Sequence, residues 1–161
     1  TKEQIVTTGS SFSVVEEEKK RRRPIYWPKA LNKAVEDKIP QVELQDPIEH
    51  ARIDKNVWAA TFDIKASFFQ VELPPRTREF FGLMTNCGCH RFKRLPMGFN
   101  ASPFVMNEIT KLCAATGVSK VRTDVYIDNV RFTSASKERV RCGDARLSDG
   151  IPSVDGILSP C

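Results

Sequence analysis

Residues 121–133 read Val-Arg-Thr-Asp-Val-Tyr-Ile-Asp-Asn-Val-Arg-Phe-Thr, and this stretch predicts an antiparallel hairpin. Val121 to Tyr126 and Val130 to Thr133 are short runs rich in β-branched and aromatic residues, as strands usually are. Ile127-Asp128-Asn129 lies between them, and asparagine tolerates the positive φ that a tight hairpin turn requires. The hairpin would therefore place the Asp128 carboxylate at its tip.

A second carboxylate is expected at the end of another strand. Val57 to Phe62 is apolar on both faces, which predicts a buried central strand that leads into Asp63. An aspartate at a strand end or in a turn is structural more often than functional. If the two elements pair in one sheet, however, Asp63 and Asp128 converge and offer oxygen ligands to a hard cation such as Mg²⁺. A magnesium ion there would bridge a 3′-hydroxyl and a triphosphate, which predicts in-line phosphoryl transfer.

A basic hairpin is predicted near the N-terminus. Phe12 to Val15 reads as a strand, and Arg23 to Trp27 as another, because a residue before proline favours the extended region. The charge block from Glu16 to Arg23 lies between them and changes sign midway. Such a block is as often a solvated loop as a binding element. As a hairpin tip, Lys19 to Arg23 would present cations to a triphosphate, with arginine suited to bidentate contact. Pro28 then opens a helix that runs to about Lys38.

Two further strands and a second helix complete the predicted pattern. Residues 78–84 and 90–94 read as strands joined by a turn at residues 86–88. Ser102-Pro103 opens a helix as a cap followed by a first-turn proline, and Gly117 ends it. The predicted apolar stripe of this helix consists of Phe104, Val105, Ile109, Leu112 and Cys113.

Composition favours one intracellular globular domain with an anionic partner, without distinguishing nucleus from cytoplasm. The 161 residues are 40% hydrophobic and 28% charged, which is typical of globular domains. No apolar run approaches about 18 residues, and the N-terminus lacks a signal peptide's apolar core, so no membrane contact is predicted. Five cysteines without such a signal fit a reducing compartment, and the Cys-x-Cys-His at residues 87–90 lacks a second ligand pair for zinc. The net charge of +5 favours nucleic acid as partner.

Four motifs resemble those of reverse transcriptases, in the order that this family has them. Residues 62–71, FDIKASFFQV, are similar to the first catalytic motif, and residues 94–104, RLPMGFNASPF, to the second with its Leu-Pro-x-Gly turn. Residues 125–130, VYIDNV, resemble the Tyr-x-Asp-Asp hairpin. Arg23-Pro24-Ile25 with Leu31-Asn32 resembles a motif of the fingers. The resemblance spans residues 12–135, and it looks most like LTR-type and DIRS-like retroelements, including those of trypanosomatids.

The resemblance implies an α+β fold: the fingers and palm of a right-hand polymerase, with an antiparallel palm sheet packed on helices and no thumb. It implies DNA synthesis on an RNA or DNA template-primer from deoxynucleoside triphosphates, with Mg²⁺ or Mn²⁺. The implied catalytic and metal-binding residues are Asp63, the carbonyl of Ile64, Asp128 and Asn129. The implied nucleotide-binding residues are Arg23, Lys20, Arg21, Ala66, Ser67, Phe68 (as a steric gate against a ribose 2′-hydroxyl), Met97 and Gly98. The implied primer-template contacts are Tyr126 and Arg94.

Two departures from the family pattern bear on activity. Asn129 stands where the family usually has a second aspartate, and a neutral amide cannot supply the same charge. Residues 141–161 are rich in Gly, Ser, Pro and Asp, so a disordered tail is expected at residues 136–161. This tail would follow the domain at 12–135, which an extension of residues 1–11 precedes. The chain is accordingly expected to be a truncated copy.

Three hypotheses remain open from the sequence. The first is an active polymerase fragment, and the second is an inactive remnant that still binds nucleic acid through its basic surface. The third is an unrelated basic nucleic-acid-binding domain whose motif matches arise by chance.

Overall fold

The computed structural model describes residues 5–42, 57–115, 120–142 and 158–160. The chain divides into two compact units. Unit 1 comprises Thr1–Pro40, Phe68–Ser102 and Val154–Cys161, and unit 2 comprises Gln41–Ser67 and Pro103–Ser153. Helices accompany a sheet in each unit, which confirms the α+β class. None of the described helices combines the length and the apolar character needed to cross a membrane.

The described residues form eight strands and five helices. The strands are β1 (Thr8–Glu16), β2 (Arg21–Trp27), β3 (Trp58–Asp63), β4 (Gly82–Thr85), β5 (Gly88–Phe92), β6 (Arg122–Tyr126), β7 (Asn129–Ser134) and β8 (Leu158–Pro160). The α-helices are α1 (Lys29–Val35), α2 (Ser67–Gln70), α3 (Pro75–Arg78), α4 (Ser102–Ala114) and α5 (residues 137–142). Two single 3₁₀ turns occupy Glu17–Lys19 and Glu36–Lys38.

Unit 1 is organised by a sheet with the order β2-β1-β4-β5-β8. β1 and β2 form the predicted N-terminal hairpin, and only the pairing of β1 with β4 is parallel. Tyr26 is buried beside Phe92, with 4.6 Å between the ring centroids, and its hydroxyl donates to the Gly82 carbonyl at 3.1 Å. Burial raises the pKa of Tyr26 to about 12, against the lowering effect of a hydrogen bond with the Gly9 backbone. Tyr26 of β2 thus connects the hairpin to β4 and β5 of the same sheet.

Unit 2 contains an antiparallel sheet with the order β3-β7-β6. The register pairs Phe62 with Val130 across β3 and β7. Val130, Phe132, Ala114 and Val140 form the buried core, and the Phe62 ring packs on Phe132 with 5.7 Å between centroids. Apolar side chains on one face of a three-stranded sheet therefore pack against residues of α4 and α5.

Two expectations about the elements are corrected by the structure. β3 lies at the edge of its sheet within the described residues, so it is largely exposed rather than buried on both faces, and Trp58 is 51% exposed. Residue 78 ends helix α3, which Pro75 begins, so the strand expected from residue 78 starts only at Gly82. Residues 137–142, within the expected tail, are helical, and Val140 is buried in the core. The predicted domain bounds, including the tail at residues 136–161, stay predictions.

Helix α4 begins at Ser102 as predicted, but its buried face differs from the predicted stripe. The structure buries Met106, Asn107, Thr110 and Ala114, whereas Leu112 is 77% exposed and Cys113 is also exposed. The predicted helix end at Gly117 lies outside the described residues. Two polar side chains therefore point into the interior of the fold where apolar ones were expected. The position of this face matters for the site.

Candidate active site

The two aspartates predicted to converge lie at the same end of the sheet in unit 2. Asp63 is the last residue of β3, and it is paired in register with Asn129, the first residue of β7. Asp128 precedes Asn129 in the turn between β6 and β7, and its carbonyl accepts a hydrogen bond from the Ile64 N–H at 3.2 Å. The backbone thus joins the two aspartate-bearing segments directly, through one ladder pair and one hydrogen bond.

The carboxylate of Asp128 is oriented by hydrogen bonds. Ser67 donates its hydroxyl to Oδ2 at 2.8 Å, and Asn129 donates Nδ2 to Oδ1 at the longer distance of 3.4 Å. Ser67 is 1% exposed and begins α2, whereas Asp63 is exposed and Asp128 is partly buried. Because Ser67 is buried and its hydrogen bond is short, the Asp128 carboxylate is held in a defined direction, as ligands of metal sites usually are.

The turn that carries Asp128 adopts a conformation that its sequence does not favour. A two-residue hairpin loop requires positive φ at its first position, and Ile127 has φ +57° there. The sequence suggested that Asn129 would take up the positive φ, but Asn129 is already in β7. A β-branched residue in the left-handed region is a true outlier. Ala66, on the segment after Asp63, also has positive φ, at +52°.

Asn107 is a site residue that the sequence did not reveal. It is 1% exposed on α4, and its side-chain Oδ1 accepts a hydrogen bond from the Ile127 N–H at 3.1 Å. The second motif, residues 94–104, ends within the first turn of α4, and Asn107 follows it in the same helix. A single asparagine in a helix does not by itself indicate a functional role. Only the pairing of helix and hairpin in space shows its contact with the turn.

Behind the turn lies a buried ion pair within the β6–β7 hairpin. Asp124 is paired in register with Arg131, which donates Nη2 and Nε to Oδ2 at 2.8 and 3.1 Å. Arg122 donates to Oδ1 at 2.9 Å. Burial by itself raises the pKa of Asp124, but the hydrogen bonds from Arg131 and Arg122 outweigh it, so the pKa lies below its ordinary value. Both carboxylate oxygens of Asp124 thus bind arginines, so Asp124 is not a candidate metal ligand beside Asp128.

The donor set in unit 2 suits a hard cation. Asp63, Asp128 and the Ile64 carbonyl supply only oxygen, which Mg²⁺ and Mn²⁺ prefer. Asn129 adds a neutral amide, so the carboxylates bring two negative charges. No group of three or more His, Cys, Asp or Glu side chains occurs among the described residues, so the site depends on this pair of aspartates.

The basic residues expected to bind a triphosphate lie in unit 1. Arg21 and Arg23 belong to β2 rather than to the loop, and both pair with the Glu16 carboxylate, at 2.7 and 2.8 Å. Their side chains remain about half exposed, at 52% and 48%. Lys20 occupies the turn itself, with φ +46°. Glu16 therefore partly neutralises the cations that were predicted to face a triphosphate.

The second predicted motif makes a close backbone contact in unit 1. Gly98 has φ +97°, and a Cβ at this position would overlap the carbonyl oxygen of Tyr26. The Asn32 side chain bridges the turn, donating to the Gly98 carbonyl at 2.9 Å and accepting from the Asn100 N–H at 3.0 Å. A glycine is thus required here by both conformation and space, and the nucleotide-binding role implied for Gly98 stays a prediction.

The remaining predicted residues have defined places but untested roles. Phe68 is partly buried as the second residue of α2, and Met97 is partly buried beside Gly98. Tyr126 ends β6 and is 45% exposed. Arg94 pairs with Glu72 at 3.8 Å in unit 1. Their contacts with nucleotide or primer stay predictions.

Comparison with known proteins identifies relatives of this chain. The model of the family described as reverse transcriptase (RNA-dependent DNA polymerase) matches residues 15–151. A curated relative, the retrovirus-related Pol polyprotein from transposon 412 of Drosophila melanogaster, is 23% identical over 108 residues. That alignment covers 67% of this chain but only 8% of the polyprotein, so the chain spans a small part of its relative.

Solved structures of the foamy virus protease-reverse transcriptase are similar in fold. The native prototype enzyme has a TM-score of 0.71 at 17% identity, over 91% of this chain and 19% of that one. The foamy viral enzyme in complex with double-stranded DNA has a TM-score of 0.69 at 17% identity, over 96% and 32%. At this identity the likeness concerns the fold, which is the fingers and palm region of those enzymes.

Proposed function

Since the chain belongs to the reverse transcriptase family, we propose that it is the part of a retroelement polymerase that binds the catalytic metal ions and the incoming nucleotide. By ancestry it is an RNA-directed DNA polymerase. The observation that carries the proposal is the pairing of Asp63 with Asn129 and the bond from Ile64 to Asp128. This pairing brings two aspartates to one end of an antiparallel sheet.

Each residue at this end of the sheet has a defined task. Asp63 and Asp128 would hold Mg²⁺ or Mn²⁺ through carboxylate oxygens, with the Ile64 carbonyl as a further ligand. The bound ions supply positive charge to the attacking and leaving oxygens of nucleotidyl transfer. Ser67 keeps the Asp128 carboxylate turned in one direction, so the site is ordered before any ligand arrives.

The basic strand β2 is proposed to receive the triphosphate. Arg21 and Arg23 are held by Glu16 at about half exposure, and exposed ion pairs contribute only about 0–1 kcal/mol. A triphosphate carries more charge than one carboxylate, so it can displace Glu16 at little cost. Glu16 then acts as a placeholder that keeps both guanidinium groups extended, with Lys20 in the adjoining turn as a third cation.

A template-primer is the proposed macromolecular partner. A similar foamy viral enzyme has been solved in complex with double-stranded DNA, and the present chain carries a net charge of +5. Cationic surfaces bind the phosphate backbone irrespective of sequence, with an affinity that falls as salt rises. We expect Tyr126, which is exposed at the end of β6, and Arg94 to contribute to this contact.

Asn129 favours a second candidate function, namely nucleic-acid binding without polymerisation. The amide contributes no charge, so the site has two negative charges where an Asp-Asp pair would bring three. Metal affinity in oxygen sites depends on the number of charged ligands. Asn129 also donates to Asp128, and it thereby draws electron density from a proposed metal ligand.

Primer extension and metal titration together test the proposal. The chain is incubated with primer-template, nucleotides and Mg²⁺ or Mn²⁺, and Mn²⁺ affinity is measured by electron paramagnetic resonance. Asp63→Asn is expected to abolish both incorporation and Mn²⁺ binding, whereas the exposed control Asp37→Asn retains them. Asn129→Asp is expected to tighten Mn²⁺ binding about tenfold.

The outcomes separate the two candidate functions. Incorporation that depends on Asp63 supports the polymerase. Nucleic-acid binding with no incorporation, even by Asn129→Asp, supports the second candidate and refutes the first for this chain. Mn²⁺ binding that is equal in the wild type and in Asp63→Asn would contradict the proposed metal site.

A further inference from the structure

We propose that Asn107 is a positioning residue, which fixes the direction of Asp128 by holding the strained backbone of Ile127. The inference rests on the proposed function, because it concerns the geometry of a proposed metal ligand. It begins from a hydrogen bond of 3.1 Å between the Ile127 N–H and the Asn107 Oδ1.

The conformation of Ile127 requires support from outside the hairpin. Its φ of +57° lies in the left-handed region, which glycine and asparagine enter readily and β-branched residues do not. Short hairpin loops usually place Asn, Asp or Gly at this position. With isoleucine the turn sequence does not select its own conformation, so another contact must select it.

Asn107 is suited to select that conformation. Its side chain is buried, at 1% exposure, on a helix whose residues 103–114 belong to the same unit as the hairpin. Its amide group donates to Glu108 only at 3.4 Å, so the 3.1 Å bond to Ile127 is its shorter contact. Inside a protein such a bond is stronger than in water, and this one is made to the N–H of the strained residue itself.

The consequence reaches Asp128 because this residue follows Ile127 directly. A change in the φ and ψ angles of Ile127 redirects the Asp128 carboxylate relative to Asp63. Ser67 and the Ile64 N–H then hold Asp128 from its other side. The proposed ligand is thus fixed from α4 through its backbone and from α2 through its side chain, and ligands must be held to within about 0.5 Å to function.

The same helix face offers a matched control. Thr110 lies one turn after Asn107 and is fully buried, and its hydroxyl has no hydrogen-bond partner within the described structure. Asn107→Leu removes the acceptor at similar volume, and Thr110→Val removes a hydroxyl that holds nothing. Both variants make the same interior less polar, but only the first releases the turn.

Two measurements on the chain test the proposal. Hydrogen exchange of the Ile127 amide is expected to be slow in the wild type and in Thr110→Val, and at least tenfold faster in Asn107→Leu. The affinity for Mn²⁺ is expected to fall about 10- to 100-fold in Asn107→Leu, as for other residues that orient metal ligands. Asn107→Ala repeats both measurements without the bulk of leucine.

A second substitution distinguishes positioning from general packing. Ile127→Gly removes the penalty for positive φ, so the turn depends less on Asn107. We expect loss of the Asn107 acceptor to weaken Mn²⁺ binding less than threefold in the Ile127→Gly background. An equal loss in both backgrounds, or an Ile127 amide that exchanges as fast in the wild type as in Asn107→Leu, would overturn the proposal.

Failure of the proposed function gives a different result. If the wild type binds no Mn²⁺, the metal site is refuted. The Ile127 amide is still expected to be protected in the wild type and exposed in Asn107→Leu. That outcome would limit Asn107 to a structural role and overturn its positioning of a metal ligand.

Discussion

Replacing Arg131 with methionine is expected to destabilise unit 2 by about 3 kcal/mol, because it leaves Asp124 as a buried charge that has lost its principal partner. The side chains of Asp124 and Arg131 are 1% and 9% exposed, and two hydrogen bonds join them at 2.8 and 3.1 Å. Each hydrogen bond to a charged group contributes about 1.5–3 kcal/mol, so the two together give about 3–6 kcal/mol. Arg122, whose side chain is about half exposed, still pairs with Asp124 Oδ1 in the variant. We therefore expect a loss of stability near the lower end of this range.

The double variant separates the charge from the packing. Asp124→Leu with Arg131→Met leaves no buried charge, and such replacements are neutral or stabilising by about 1–4 kcal/mol in other proteins. The double variant is therefore expected to be at least as stable as the wild type, although the single variant is not.

Urea unfolding followed by tryptophan fluorescence measures these differences. Trp58 in β3 reports on unit 2 when Trp27, in unit 1, is replaced by phenylalanine in every variant. A loss below about 1 kcal/mol in Arg131→Met, or a double variant as unstable as the single one, would refute the reasoning.

The pH dependence gives a further check of the same ion pair. The pKa of Asp124 is lower in the folded state than its ordinary value. Its contribution to stability is therefore complete above about pH 4, where an unfolded aspartate is ionised, and is lost as the pH falls through the folded pKa. The difference in stability between the wild type and Arg131→Met should accordingly shrink in acid, and a constant difference would contradict the ion pair.

Three other substitutions test separate parts of the structure. Ser67→Ala removes the 2.8 Å hydrogen bond to Asp128, so Mn²⁺ affinity should fall about tenfold while unfolding changes by only about 1 kcal/mol; unchanged affinity in a metal titration would refute this role. Gly98→Ala places a Cβ on the Tyr26 carbonyl at positive φ, and we expect a loss of more than about 2 kcal/mol in urea unfolding, where a neutral result would contradict the close approach. Burial raises the pKa of Tyr26 to about 12, so its contribution to stability is complete below about pH 10 and is lost as the pH rises. The difference between the ultraviolet pH titrations of the wild type and of Tyr26→Phe should show a tyrosine that ionises near pH 12. A transition near pH 10 in this difference would refute the expectation.

The sequence correctly predicted that Asp63 ends a strand and that Asp128 lies in a hairpin turn, because neighbouring residues determine these local structures. The alternation and turn residues around Asp128 select a hairpin locally, and the run that ends at Asp63 selects a strand. Ser102 and Pro103 start α4 in the same way, since a helix start depends on adjacent residues. The four motifs together indicated the reverse transcriptase family, which the family match confirms.

Contacts between distant segments could not be predicted from the sequence. No local pattern shows that Ser67 reaches Asp128 across 61 positions, or that Asn107 accepts from Ile127. The apolar composition of β3 suggested a central strand, yet it lies at an edge within the described residues, because strand order depends on which segments pair.

The sequence also did not predict which face of α4 is buried. Its most apolar residues suggested one buried face, but the packing of the hairpin selected another, which contains Asn107 and Thr110. Asn107 is buried there because its side chain accepts a hydrogen bond from the Ile127 N–H, whereas nothing in the structure explains the buried hydroxyl of Thr110. Local conformational preferences in the sequence thus predict one aspartate at the end of β3 and another in the turn between β6 and β7. The tertiary structure decided how Asp128 is held, because that depends on hydrogen bonds between segments far apart in the chain.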